Sequence, residues 1–146
     1  MKDVALCTNL VAHFEGFASH AYWDVNAFRI GFGSDTRTAA QIPVRRGDYT
    51  TYADAKANLA ARLPQFEAVI VSEIGADRWD GFPPNAQAAL IDFVYNYGSL
   101  TPTLRAHCQS GDLASIAQAL ADRAVDNARI NATRRLCEAA FVASVE

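Results

Sequence analysis

No stretch of this 146-residue sequence is apolar and long enough to cross a bilayer, which takes about 20 such residues. No export leader is recognisable either. The opening Met1–Leu10 carries Asp3 early and has no continuous apolar run, so synthesis in the cytoplasm without a signal peptide is expected. Basic excess is also missing. Thirteen Lys and Arg face sixteen Asp and Glu, a net charge of −3. That argues against a nucleic-acid partner, which needs a surplus of cations to track phosphates. The three cysteines, Cys7, Cys108 and Cys137, are too few for a disulfide framework, and none stands in a C-x-x-C spacing. Reduced core thiols are expected. Pairing of Cys7 with Cys137, on the first and last helical segments, stays open. His13, His20 and His107 have no ligand spacing, so neither metal nor cofactor is expected. No Gly-x-Ser-x-Gly elbow, internal repeat, linker or low-complexity segment occurs. The length suits one domain over residues 1–146.

What the chain does have is a change of period. Val4, Cys7, Leu10, Val11 and Phe14 recur at helical spacing, which predicts an amphipathic helix over 3–15, stopped by Gly16. From Tyr22 onward aromatic and β-branched residues alternate with polar ones. Residues 21–34 read as a β-hairpin turning at Val25-Asn26-Ala27, with a short strand at 41–45, so a small β lobe covers 21–45. On this reading Tyr22, Asp24, Phe28, Ile30 and Phe32 share one face and Arg29, Gly31 and Gly33 the other. The glycine face would lie close to another backbone or a ligand.

Residues 51–146 read as a helical lobe. A long helix starts near Thr51, with Pro64 expected to kink or divide it. A core helix follows Gly81–Asn85, buries Ala89, Leu90, Phe93, Val94 and Tyr97, and ends at Gly98. Thr101-Pro102 and Gly111-Asp112 mark further helix boundaries. The last helix is expected over 130–143 with Ile130, Cys137, Ala140 and Phe141 inward. The fold class is α+β, mostly helical, with the small sheet inserted early and a long connecting helix.

Two carboxyls bracket the junction of the first helix and the hairpin. Glu15 falls in the helix's last turn, near Phe14, Phe17 and Trp23 in sequence. Apolar rings and the negative end of the helix dipole both favour a protonated carboxyl, as a general acid requires. Asp24 stands nine residues on, in the hairpin. Two acids on different elements are the minimum equipment for cleaving a glycosidic bond.

Phe14-Glu15-Gly16-Phe17, Ala21-Tyr22-Trp23-Asp24 and Ile30-Gly31-Phe32-Gly33 together resemble the active-site signature of the phage-type lysozymes, a glycoside hydrolase family. The resemblance extends to Thr51–Val71, to the core helix Gln87–Gly98 and to the terminal Arg134-Arg135-Leu136-Cys137-Glu138 segment, covering most of the chain. It implies a lysozyme-like fold and a cell-wall muramidase cutting the β-1,4 bond between N-acetylmuramic acid and N-acetylglucosamine, in a phage or prophage setting. Its partner would be peptidoglycan glycan strands in the periplasm or cell wall, with no stable membrane insertion and a monomeric state. By that resemblance Glu15 is the general acid, and Asp24 orients water or stabilises the oxocarbenium-like transition state. Asn96 would bond sugar amides or support the cleft, and Arg134 or Arg135 would hold Glu15, the other being a solvated charge. Tyr22 or Trp23 is expected to stack on a sugar, since such rings bury one face and keep a polar edge wet. Glu138 reads as their structural partner.

Two residues depart from the pattern. Arg29 stands where the family has threonine, and Ser34 replaces the histidine of its Gly-x-Gly-His turn. Arg29 is expected to pair with Asp24 or to fill the place of the catalytic water. Ser34 is expected at the substrate; with Asp35 and Thr36 it would supply a threonine-like hydroxyl if the register shifted. The departures keep two alternatives in view: a lytic transglycosylase that uses one acid, and a non-catalytic module that binds glycan or a protein partner.

Overall fold

The computed structural model of the protein describes residues 1–38 and 40–144. The chain divides into two compact units, Thr8–Leu63 and a second made of Met1–Cys7 with Pro64–Glu146. Helix α1 spans Val4–Glu15, within the expected limits. The Asp3 carboxylate caps it by accepting from the Leu6 amide at 2.8 Å, and Gly16, at φ 69°, ends it in the left-handed region that a side chain would resist. Val4 was expected inward but is 44% exposed, at the fraying first turn.

In the Thr8–Leu63 unit, β1 (Ala18–Asp24) pairs antiparallel with β2 (Ala27–Gly31). The turn holds two residues, Val25 and Asn26, not the three expected, because Asp24 pairs with Ala27 and Tyr22 with Arg29. That single residue reassigns the faces: Arg29 shares a face with Tyr22 and Asp24, while Trp23 and Phe28 meet on the other with ring centroids 5.1 Å apart. A second small hairpin, β3 (Thr36–Arg37) with β4 (Ile42–Pro43), replaces the single strand expected at 41–45. The far edge of β1 is covered by Asp48–Thr50, with Ala21 donating to the Asp48 carbonyl and Thr50 to that of Ser19, both at 2.9 Å.

Helix α2 runs unbroken over Tyr52–Ile74, capped by the Thr51 hydroxyl, which accepts from the Asp54 amide at 3.1 Å. Pro64 does not divide it. One missing donor leaves the remaining ladder of a 23-residue helix intact, and Pro64 is exposed, with room for its ring. In the second unit α3 (Ala76–Gly81) precedes α4 (Pro84–Tyr97), whose residues Ala86–Val94 are all buried. A helix apolar on nearly every side belongs at the centre of its unit. Tyr97, expected in its buried stripe, is 48% exposed at the helix end and stacks on Phe93. α5 (Pro102–Ser110), α6 (Leu113–Asp122) and α7 (Ala132–Ala143) complete the unit, with 3-10 turns at Arg123–Val125 and Asn127–Arg129 between α6 and α7. Thr101 and Asp112 cap α5 and α6 by accepting from Leu104 and Ser115.

The inward face of α7 differs from the expected one. Ile130 precedes the helix and is 75% exposed, Ala140 is exposed, and Cys137 and Phe141 are half-buried. Arg134, Arg135, Glu138 and Val142 point inward instead. The reason is electrostatic: Asp92, fully buried in α4, supplies a counter-charge that a reading by apolar spacing ignores. All three cysteines are free, and burial pushes the Cys7 and Cys108 thiols up to about 12, so both stay protonated.

Candidate active site

Glu15 is the last residue of α1 and is half-buried. Its carboxylate lies against Gly33: a Cβ placed on that glycine would sit 3.8 Å from Glu15 Oε2. Gly33 has φ 75°, and Gly31, at φ 64°, packs so tightly that a Cβ there would come within 2.9 Å of Ala55 Cβ on α2. Gly31 thus lets the strand end pass against α2 where a side chain would collide with Ala55, and Gly33 supplies the left-handed backbone that carries the turn past the Glu15 carboxyl. Beside them Phe17, Phe32 and Tyr52 form a mutual ring cluster with centroids 5.3–5.8 Å apart.

Arg29 links the second carboxyl to the same turn. Its Nε donates to Asp24 Oδ2 at 3.2 Å, and its Nη1 donates to the Gly33 carbonyl at 3.4 Å. The guanidinium thus runs from Asp24 to the residue that faces Glu15. Asp24 keeps 49% of its side chain exposed and Arg29 27%, so the pair lies at the surface. Tyr22 stands beside them on the same sheet face, 43% exposed.

Ser34, expected at the substrate, is only 4% exposed. Its hydroxyl accepts from Asn58 Nδ2 at 3.2 Å and from the Thr36 amide at 3.1 Å, while Ile30 and Ser34 exchange backbone bonds. These contacts make Ser34 a support of the turn that carries Gly33. Thr36 is likewise tied, donating to Gln41 Oε1 at 2.9 Å.

The remaining predicted residues lie in the other unit. Neither Arg134 nor Arg135 is a solvated charge, contrary to expectation; their side chains are 6% and 2% exposed. Arg134 grips Asp92 with Nε and Nη2 at 2.9 and 2.7 Å, and Arg135 Nη1 donates to both oxygens of Glu138 at 2.7 and 2.6 Å. Burial, with the Asp92 carboxyl adding to it, pushes Glu138 up to about 9 against the pull of the two arginines, and burial lowers Arg135. The Asn96 carbonyl accepts from Arg135 Nη2 and Asn131 Nδ2. It lines an open polar pocket of about 570 Å³ with Tyr97, Arg123, Asp126, Asn127, Asn131 and Arg135. Sequence reading missed Asp92 and Asn58. The signal for Asp92 was a lone acid inside an apolar helical run, which demands a buried partner. Among the described residues no cluster of His, Cys, Asp or Glu could hold a metal ion, and no helix is long and apolar enough to cross a membrane.

The family model described as phage lysozyme matches residues 12–135. No curated protein matches the chain. Among solved structures, a P22 lysozyme variant superposes with a TM-score of 0.78 at 21% identity, covering 96% of this chain and 97% of that one. The endolysin of Escherichia coli O157:H7 phage FAHEc1 gives 0.74 at 22% identity, covering 96% and 92%. The muramidase domain of SpmX from Asticaccaulis excentricus gives 0.76 at 19%, covering 97% of each chain. At these identities the likeness to solved structures is one of fold.

Proposed function

Because the chain belongs to the phage lysozyme family, a lysozyme-type glycoside hydrolase acting on peptidoglycan, we propose that it cleaves the β-1,4 bond between N-acetylmuramic acid and N-acetylglucosamine. Glu15 gives its proton to the bridging oxygen as the bond from that oxygen to C1 of the muramic acid breaks. A water oxygen then bonds to C1 and loses a proton, which through solvent restores the one Glu15 gave, while Asp24 orients that water and balances the positive charge developing on the sugar ring. The released ends are a free 4-hydroxyl on one side and a reducing sugar on the other. The carrying observation is the placement of the half-buried Glu15 carboxylate, at the end of α1, against Gly33 on the turn that Arg29 ties to Asp24. The exposed Arg29–Asp24 pair on the same turn supports it.

Arg29 takes the place of the family threonine by holding Asp24 in one position. Tyr22 supplies a ring for sugar stacking, and Asn96, in its polar pocket, keeps its amide NH2 for the acetamido or peptide groups of the polymer. Arg134 and Arg135 act as supports through Asp92, Glu138 and Asn96. A phage or prophage lysis enzyme, made in a bacterial cytoplasm and acting as a monomer on the wall, is the setting that fits this chemistry.

One observation favours a second reading. A carboxylate already paired with a guanidinium is a poorer partner for water, which favours lytic transglycosylation by Glu15 alone, the sugar's own hydroxyl closing onto C1. Mass spectrometry of digested peptidoglycan separates the two. Reducing muramic ends support hydrolysis, anhydro ends support transglycosylation, and neither product at saturating enzyme would leave a binding module.

A further inference from the structure

The sheet face that carries Asp24 continues past the two acids. The pairing of β1 with β2 is irregular between Ala18 and Tyr22, yet His20, Tyr22 and Asp24 are exposed while Ser19 and Ala21 are half-buried, and the pairing of Tyr22 with Arg29 adds Arg29 to that side. At the strand's other edge His20 bridges to Tyr49, and their rings meet edge to face with centroids 5.2 Å apart. His20 is exposed, Tyr22 is 43% and Tyr49 59% exposed. The hydroxyl of Ser19 lies 3.0 Å from His20 Nδ1, leaving Nε2 as that ring's remaining hydrogen-bonding atom. Three exposed aromatic side chains thus lie along β1 and its edge, with the acid at the strand's end.

We propose that His20, Tyr22 and Tyr49 form a saccharide platform that extends the glycan contact from Asp24 along β1. The proposal rests on the hydrolase reading above and adds where the substrate strand lies. Sugar rings present C–H faces that stack on aromatic faces, and their hydroxyl and acetamido groups bond to the polar ring edges that Tyr and His keep wet. The acidic and basic residues of β1 and β2, Asp24 and Arg29, pair with each other. A neutral polyhydroxylated chain therefore suits it better than a phosphate polymer or an anionic lipid surface, which need unpaired cations. From Asp24 to His20 is four strand residues, about 13 Å, room for more than one sugar ring.

The test is steady-state cleavage of soluble glycan strands of increasing length by the wild type, Tyr49→Ala, His20→Ala and Tyr49→Phe. Both alanine variants are expected to raise KM on long strands by about two- to tenfold, the range of a lost ring contact, with kcat unchanged and no effect on the shortest cleavable strand. Tyr49→Phe, which keeps the ring, should keep most of the affinity. A wild-type KM at every strand length in both alanine variants overturns the platform while leaving the hydrolase intact. Should the wild type cleave nothing, the hydrolase reading fails by itself. Calorimetric binding of the same strands then decides the platform: weaker binding by Tyr49→Ala supports it, and equal binding overturns it.

Discussion

Arg29 and Asp24 meet at 3.2 Å with 27% and 49% of their side chains exposed, whereas Arg134, Arg135, Asp92 and Glu138 interlock with none more than 6% exposed. The residue types are the same, and the surroundings give them different work. Water screens the first pair and keeps its contribution to stability small, so its charges remain available to a ligand. The second set has left water, at a cost recovered only while every partner is in place. In the one unit the pair stays at the surface, where the proposed reaction would use it; in the other the interlocked groups set the position of a helix.

Removing a partner from each set sharpens that contrast. Glu138→Ala strips the buried Arg135 guanidinium of the two carboxyl oxygens that accept from it and should destabilise the fold by about 3–5 kcal/mol in denaturant unfolding. A loss below about 1 kcal/mol would place the cluster with ordinary surface pairs. The pH dependence follows from the same group. Glu138 is held up to about 9 in the folded protein, above the ordinary carboxyl range, so folding takes up a proton between those limits. Stability from this group is therefore full below the ordinary glutamate range and declines as pH rises toward 9. Thermal unfolding across that window should show a decline in the wild type that Glu138→Gln lacks. Equal slopes in both proteins would contradict it.

The smallest effect belongs to the exposed pair. A double-mutant cycle on Asp24→Asn and Arg29→Gln should give a coupling below about 1 kcal/mol in stability, shrinking further in salt. A coupling of several kcal/mol would erase the distinction between the two regions.

How much of this was legible in the sequence depends on what each feature rests on. Helix α1, its stop at Gly16 and the caps at Thr101 and Asp112 follow from local chemistry, and were read within a residue or so. The hairpin was read too, yet its faces were not. A turn of three residues instead of two places Arg29 opposite to where it stands, and no propensity distinguishes Val25-Asn26 from Val25-Asn26-Ala27. The face of α7 was misread because apolar spacing is blind to a buried charge on another helix, here Asp92. Ser34 was placed at the substrate by motif position alone. Its burial follows from Asn58, far along the chain, which a local pattern does not reveal.

The account turns on the proton carried by Glu15. The direct measurement is reducing-end release from purified peptidoglycan by wild-type protein and by Glu15→Gln, which keeps the shape and removes the ionisable group. Activity should fall by about 100- to 10,000-fold in the variant, the usual weight of a general acid, with the fold unchanged by circular dichroism. Release at the wild-type rate from a correctly folded Glu15→Gln protein would contradict the assignment outright.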